Sequence, residues 1–570
     1  MTGRLWVERL AEQPWQDADS SLPPLLRDLY ARRGVYRDRE ATQSLADLPP
    51  PFAIAGLREA AECLADFVQR QSRILIVGDY DADGATSTAL CLRALEAFGQ
   101  RADFLLPDRQ SDGYGLSPGL VERAIERSPD LVVTVDTGIA GVEGVARLKA
   151  SGIAVIVTDH HLPGPSLPAA DALLDPNLQD EGPGRCLAGV GVAFYLMLGL
   201  RAVLRERGHF DQREQPALDA LLDLVAIGTV ADLVPLDRVN RILVAQGLKR
   251  LRAAACSAGI RALIEVSGRD IAHLGSEDIA FAIAPRINAA GRLDDMRLGV
   301  RCLLSQDQRR ARELAQALDD INSYRRERQQ EMSDQALAQL PDRLSAGSAR
   351  AVVQYREDWH EGLVGIIASR IKEQCYRPAI CFAPGQDGLL KGSGRSIAGI
   401  HLRDLLDRVD KRRPGLIHRF GGHAMAAGLT LPPERLDDFR EALETALEAE
   451  DAACFEDRIE HDGVLPDEWL NLEQARLIEQ GGPWGQRFPR PAFVGEFEVV
   501  ATRILKERHL KMVLQLPAGG GSVDAILFQA PAQLLQGPLE RVELLYELSV
   551  NRFRGNETLQ LLVREARKPC

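Results

Sequence analysis

Between residues 70 and 160 the chain alternates short apolar runs with amphipathic stretches. The runs are ILIV (74–77), LVVTV (131–135) and AVIV (154–157). Runs this short, with no polar alternation, read as strands buried on both faces. Helical stretches between them predict a parallel, doubly wound α/β sheet. Further on, CLAGVGVAFYLMLGL (186–200) is uncharged and bounded by Arg185 and Arg201. It falls short of the ~20 residues that a membrane-spanning helix needs, so it predicts a buried core helix.

Residues 305–340 are densely charged, with Leu314, Leu318 and Ile321 at helical spacing and Pro341 as a stop. They predict one helix, roughly 50 Å long, opened by a Ser305–Gln308 capping box. It reads either as a connection between two domains or as a solvated helix of one. A second α/β unit follows, with AVVQY (351–355), AICFA (379–383), the Gly-rich GGHAMAAG (421–428) and the helical ERLDDFREALETALEAE (434–450). Five strand-like segments near 496–505, 509–516, 522–528, 541–551 and 558–565 then predict a small OB-like β-barrel, a fold that suits single-strand binding but also serves as a purely structural module. The expected partition is an N-terminal segment (1–50), the doubly wound domain (51–304), the connecting helix (305–345), the second α/β domain (346–452) and the barrel domain (453–570).

Length and charge refine this picture. A chain of 570 residues exceeds a single hydrophobic core. Nine cysteines with no C-x-x-C pair fit neither a disulfide framework nor a thiolate zinc site, and point to a reducing compartment. The charged N-terminus, MTGRLWVERLAEQPWQD, lacks the apolar core of a signal peptide, so a cytoplasmic protein without membrane contact is expected. The net charge of −13 argues against a nucleic-acid partner only if the charge is evenly spread. It is not: Arg503, Lys506, Arg508 and Lys511 form one basic cluster, and Lys411, Arg412, Arg413, His418 and Arg419 another. The first reads as a phosphate track or as a solvated strand edge.

The chemistry lies where the apolar runs end. DYDADG (79–84) follows the first run, Asp136 the second, and Asp159 with His160 and His161 the third. In open parallel sheets the ligand crevice lies beyond the carboxyl ends of the strands. Taken singly, each of these aspartates reads first as a helix N-cap or a turn residue. Together, Asp79, Asp81, Asp83, Asp136 and Asp159 would repel one another in a shared crevice unless a cation neutralised them. One or a pair of divalent ions answers that need, and the imidazoles favour Mn²⁺ with Mg²⁺ as the other candidate. SGRS (393–396) and GGHAMAAG read as an anion pocket, with small residues exposing backbone N–H groups and Arg395 offering a fork; tight strand–helix packing is the rival reading.

DYDADG, VDTG (135–138) and DHH (159–161) resemble the first three motifs of the DHH phosphoesterase superfamily. TVADLVPL (229–236), RINAAGR (286–292), SGRS and GGHAMAAG resemble, in order, the later motifs of its bacterial RecJ family of single-strand-specific 5′→3′ DNA exonucleases. The resemblance implies a DHH domain, a DHHA1-type second domain and an OB-like barrel. It implies two divalent cations on Asp81, Asp83, Asp136, His160 and Asp232, with Asp79 orienting or binding the second ion. Asp159 would orient the imidazoles, and His161 would face the scissile phosphate. Arg109, Ser393 and Arg395 would hold a 5′ phosphate, with His423 also on substrate phosphate. Arg286, Asn288 and Arg292 would line the substrate channel, although a packing role rivals this for Asn288. The implied function is hydrolysis of single-stranded DNA to 5′-mononucleotides in repair and recombination, by a monomer partnered with single-strand-binding protein and a RecQ-type helicase. Two other readings stand beside it: a relative cleaving short oligoribonucleotides or cyclic dinucleotides, and a replication scaffold without activity. Every acidic motif is intact here, which opposes the scaffold.

Overall fold

A computed structural model describes residues 4–569 apart from 109–111, 113–114, 341–348, 386–387, 517–520 and 537–538. The chain forms two compact units, one of Glu8–Asp320 with His461–Cys570 and one of Met1–Val7 with Ile321–Glu460.

The larger unit holds the first sheet. Its strands are β1 (Ile74–Val77), β2 (Ala102–Leu105), β3 (Leu131–Thr134), β4 (Ala154–Thr158) and β5 (Ala172–Leu174), all parallel, in the order β2-β1-β3-β4-β5. The winding reverses between β1 and β3, and the crevice of such a sheet opens at that point. Side chains alternate between the faces. Leu75, Val77, Val132 and Val155 pack on Leu120, Val121, Val145 and Leu148 on one side. Ile74, Ile76, Leu131 and Val133 join the main core on the other. Both faces are covered, which is why the runs carry no polar alternation.

Four helices shape the crevice: α1 (Ala82–Ala97), α2 (Gly189–Glu206), α3 (Leu222–Ala231) and α5 (Ala284–Leu293), with α4 (Arg238–Arg252) behind them. Helix α2 contains all but the first three residues of the uncharged run, and nearly all of its first two-thirds is buried, as expected of a helix apolar on every side. Among the described residues no helix is long and apolar enough to cross a membrane.

The long helix α6 spans Gln308–Ala338, beginning in one unit and ending in the other. Its cap differs from expectation. Asp307 Oδ1 accepts the N–H of Arg310 at 2.7 Å, whereas Ser305 turns its hydroxyl to the Asp307 carbonyl. A carboxylate at the N-cap also faces the positive end of the helix dipole, which a hydroxyl does less well. Leu314 and Leu318 are buried and Ile321 half-buried, so the apolar stripe packs while the rest of the helix meets water. The expected stop, Pro341, lies outside the described residues.

In the smaller unit, β6 (Val352–Tyr355), α7 (Val364–Cys375), β7 (Ala379–Pro384), β8 (Leu390–Arg395), α8 (Leu402–Arg412), β9 (Arg419–Gly422), β10 (Ala426–Leu431) and α9 (Leu436–Leu447) follow in chain order. The sheet order is β9-β10-β8-β7-β6, with only β6 and β7 parallel. Leu405, Leu406, Val409, Phe439 and Leu443 of the helices share its core with Ile380, Phe382 and Leu429.

The closed barrel consists of β11 (Phe493–Leu505), β12 (His509–Gln515), β13 (Ser522–Leu527), β14 (Arg541–Phe553) and β15 (Asn556–Arg567), in the order β11-β12-β13-β15-β14. It belongs to the larger unit, and residues 8–60 join it there. Leu236 N–H donates to the Gln486 carbonyl at 2.8 Å and Ser276 Oγ to that of Trp484 at 2.6 Å. Tyr30 packs against Trp484 and Phe488, and a fully buried Arg33–Asp462 pair closes at 2.9 Å. The partitions expected at residues 50 and 453 therefore do not separate cores, because one apolar cluster runs through all three segments.

Candidate metal centre and active site

The loop leaving β1 is held by its own backbone. Asp81 Oδ1 accepts the N–H groups of Asp83 and Gly84 at 2.9 and 3.0 Å and so caps α1. Asn288 Oδ1 on α5 accepts the N–H of Ala82 at 2.8 Å, tying this loop to the RINAAGR segment. Gly84 is required by closeness: a Cβ there would stand 2.6 Å from the backbone N and O of Asp79.

Helix α2 approaches the same loop end-on. The N–H groups of Gly189 and Val190 donate to the two Asp83 oxygens at 2.6 and 2.9 Å. A helix N-terminus aimed at a carboxylate favours its charge. Gly189 also lies against Asp136, since a Cβ on it would fall 2.5 Å from the Asp136 Cβ and 2.6 Å from Oδ1. Asp136 itself has φ +60°, a left-handed conformation for a non-glycine residue at the end of β3.

Side chains from four chain segments converge here. Among the described residues three groups have ligand atoms mutually within 4.8 Å: Asp136, His160 and His161; Asp83, His160 and Asp232; Asp79, Asp81 and Asp136. Asp136 and His160 each belong to two of them. His160 Nε2 lies 3.1 Å from Asp136 Oδ1, 3.6 Å from Asp232 Oδ2 and 3.9 Å from Asp83 Oδ2.

Asp159 stands apart. Its Oδ2 accepts the N–H of Ile139 at 2.9 Å, and its Oδ1 accepts the N–H groups of His160 and His161 and lies 2.7 Å from His161 Nδ1. Burial opposes its charge, but these bonds and the facing imidazole hold its carboxyl below the usual range. Burial likewise opposes charge on His161, yet the Asp159 bond, with Asp232 and Asp79 nearby, lifts it to about 9. That direction favours the imidazolium form of His161.

The other groups shift the opposite way. Burial, then the Asp81 charge, pushes Asp79 to about 8 and Asp83 to about 7. Burial and the Asp83 charge drive Asp136 and Asp232 well above the carboxylate range. Burial and neighbouring His161 lower His160 to about 4, so it is neutral. His160 bonds to the Leu187 backbone, and its Nε2 has no hydrogen-bond partner, so Nδ1 carries the proton. The Nε2 lone pair then points at carboxylate oxygens, and Asp79 Oδ1 and Asp136 Oδ1 are buried without hydrogen bonds. Lone pairs facing lone pairs in a buried crevice call for a cation. An oxygen-rich set with the neutral His160 imidazole suits Mn²⁺ or Mg²⁺, so these donors fit a divalent ion.

Comparison with known proteins gives the family. The DHH family, N-terminal domain, matches residues 73–229, the DHHA1 domain 348–449 and the RecJ OB domain 461–565. The chain is 50% identical to the single-stranded-DNA-specific exonuclease RecJ of Dickeya dadantii, covering 98% of each chain. It is 48% identical to that of Escherichia coli K12, covering 99% of each. The chain belongs to the RecJ family. A crystal structure of Thermus thermophilus RecJ in complex with Mn²⁺ matches with a TM-score of 0.81 at 31% identity, covering 100% of this chain and 80% of that one. A structure of exonuclease RecJ bound to manganese matches with a TM-score of 0.59 at 35% identity, covering 70% of this chain and 96% of that one.

In this RecJ-family chain the Gly-rich motifs meet in one sheet. Strands β8 and β10 pair Ser393 with Gly428, Gly394 with Ala427 and Arg395 with Ala426. Arg395 Nη1 donates to Ser393 Oγ at 3.0 Å and to the Gly394 carbonyl at 2.8 Å. The start of α7 packs on this pair through Gly365, whose absent Cβ would stand 2.8 Å from Ser393 Oγ and 3.0 Å from Arg395 Nη2. A guanidinium, a hydroxyl and a helix N-terminus together could cradle an anion. His423 is exposed in the β9–β10 turn, its N–H bonded to the Ala426 carbonyl. Arg109 lies outside the described residues.

Two expectations change. Arg286 is buried, its guanidinium engaged by Asp319 at 2.7 Å and by the Ala282 carbonyl at 2.6 Å, so it anchors the base of α6 rather than facing a channel. Arg292, on the same helix, is half-buried in its last turn. On the barrel, Lys511 is neutralised by Asp524 at 2.7 Å, whereas Arg503, Lys506 and Arg508 form no ion pair among the described residues. Sequence reasoning missed Gly189, Val190, Leu187 and Gly365, which act through backbone groups or missing side chains. The only signal was glycine at the start of a helix.

Proposed function

We propose that this chain is a divalent-metal-dependent exonuclease that degrades single-stranded DNA from its 5′ end and releases 5′-mononucleotides. The observation that carries the reading is the sharing of Asp136 and His160 between overlapping ligand groups at the sheet's switch point. Asp79, Asp81, Asp83, Asp136, His160 and Asp232 would hold two cations, Mn²⁺ preferred and Mg²⁺ accepted. When bound, such ions supply Lewis acidity at the phosphoryl group and lower the pKa of water.

The chain's own residues do the rest. Gly189 and Val190 keep Asp83 aimed into the crevice, and Leu187 fixes the His160 tautomer. Asp159 keeps His161 cationic and oriented through Nδ1, so Nε2–H is the donor that would face a phosphoryl or leaving oxygen. Ser393, Arg395 and the N-terminus of α7 would hold the terminal 5′ phosphate, with Arg109 and His423 on neighbouring phosphate oxygens. Asn288 would position the Asp81 loop. Family membership is what supports a role in repair and recombination, a cytoplasmic monomer, and single-strand-binding protein and a RecQ-type helicase as partners.

Digestion of labelled single-stranded DNA, duplex DNA and a dinucleotide, with Mn²⁺, Mg²⁺ or chelator, tests this. Mononucleotides released only from the single strand's 5′ end, and only with metal, are expected. Cleavage restricted to the dinucleotide, or undiminished in chelator, would overturn the reading.

A further inference from the structure

Strands β11, β12 and β13 lie side by side, with Leu505 opposite His509, Arg503 opposite Lys511, Lys511 opposite Ile526, and Leu510 opposite Leu527. On β12 and β13, Leu510, Met512, Val523, Ala525 and Leu527 are buried inside the barrel. Alternation therefore turns His509, Lys511 and Ile526 outward, and the residue after Leu527, Phe528, is 54% exposed.

That exposure is held in place. The Phe528 and His509 rings lie 5.2 Å apart, edge to face. His509 Nδ1 accepts the N–H of Gln529 at 3.0 Å, and the Arg508 carbonyl accepts that of Ala530 at 2.8 Å. Two hydrogen bonds thus clamp the segment carrying Phe528 to the β11–β12 hairpin tip. Arg503 on β11 and Lys506 and Arg508 in the turn before His509 are exposed and form no ion pair among the described residues, with Glu507 as the carboxylate of the turn. In a chain of net charge −13, three unneutralised cations on the hairpin that carries His509, with its fixed, solvent-facing ring pair, complement an anionic strand whose bases present flat apolar faces.

We propose that Phe528 and His509 form a base-stacking platform for single-stranded DNA, with Arg508, Lys506 and Arg503 on its phosphates. The platform rests on the nuclease reading and adds where bases, rather than phosphates, are gripped. Stacking accepts every base, so it adds affinity without sequence preference.

The test measures binding of 5′-phosphorylated oligothymidine, and of the same backbone carrying abasic sites, by full-length protein in chelator to prevent cleavage. Phe528→Ala is expected to weaken oligothymidine binding roughly tenfold while leaving the salt dependence unchanged, and Phe528→Trp to restore it. Arg508→Ala is expected to lower the salt slope by about one. The abasic strand is expected to bind wild type as weakly as oligothymidine binds Phe528→Ala. Wild type binding both strands equally, or Phe528→Ala matching wild type while cleavage persists, would sink the platform alone. Wild type binding neither strand would sink the platform and the nuclease reading together.

Discussion

Asp159 Oδ1 sits 2.7 Å from His161 Nδ1, yet Asp159 belongs to none of the ligand groups among the described residues. The carboxylate serves the imidazole, and the imidazole faces the crevice. Asp159→Asn keeps an acceptor but removes the charge that sustains imidazolium. Turnover is expected to fall about 10- to 100-fold, with the metal concentration for half-maximal rate unchanged. A parallel shift in metal demand would make Asp159 a ligand.

Asp136 is shared by two ligand groups, and burial with neighbouring charge disfavours its ionised form. In chelator, Asp136→Asn is therefore expected to melt at a higher temperature than wild type, because a repelling buried charge is gone. Adding Mn²⁺ stabilises whatever binds it in the folded state. The rise in Tm with Mn²⁺ is expected to be large in wild type and small in the variant, with nuclease turnover at background. An equal rise in both proteins would remove Asp136 from the shared position.

Gly189 touches two candidate ligands at once, through its N–H to Asp83 and its bare Cα against Asp136. Gly189→Ala forces a methyl into 2.5 Å of the Asp136 Cβ. A loss of about 1–3 kcal/mol in stability is expected from overpacking, together with loss of nuclease activity. Thermal melting and a turnover assay check it; a variant as active as wild type would show that the ligand cluster tolerates displacement.

Arg395 and Ser393 face the start of α7 across Gly365. Arg395→Ala is expected to slow cleavage of 5′-phosphorylated ends roughly 10- to 100-fold, the worth of charge-assisted hydrogen bonds, and to affect 5′-hydroxyl ends little. Competition between the two substrates measures this directly. Equal loss on both would dismiss the terminal-phosphate assignment.

Away from the crevice, Asp223 is fully buried, with Arg93 3.6 Å away and one oxygen without a hydrogen bond. Burial raises its pKa despite the attraction of Arg93. The sign follows: the folded chain keeps this proton to higher pH than the unfolded chain, whose carboxyl titrates near about 4. Stability from this group is greatest below that value and is lost as pH rises through the folded pKa. Asp223→Asn is expected to gain on wild type, in chelator, as melts move from acid to neutral pH. A constant difference across that range would contradict the assignment.

Much of this site was readable from the chain. Asp79, Asp81, Asp83, Asp136 and Asp159 were placed together because parallel strands exit on one side of a sheet, so residues after each strand share a crevice. Asp81 also fits the single-residue reading of a helix N-cap, since it caps α1 while facing the cluster. The five barrel strands were legible from alternation and turn residues, and the closed order came only from the fold.

Local periodicity thus determined the strands, the helices and which chain ends carry negative charge, since those depend on residues a few positions apart. Only the tertiary structure decided what each charge does. It turned Asp159 toward His161 and Arg286 toward Asp319, brought the end of α3 to His160 through Asp232, and set the first amides of α2 on Asp83. Those outcomes depend on how helices distant in sequence pack across the sheet, and no spacing along the chain encodes that packing.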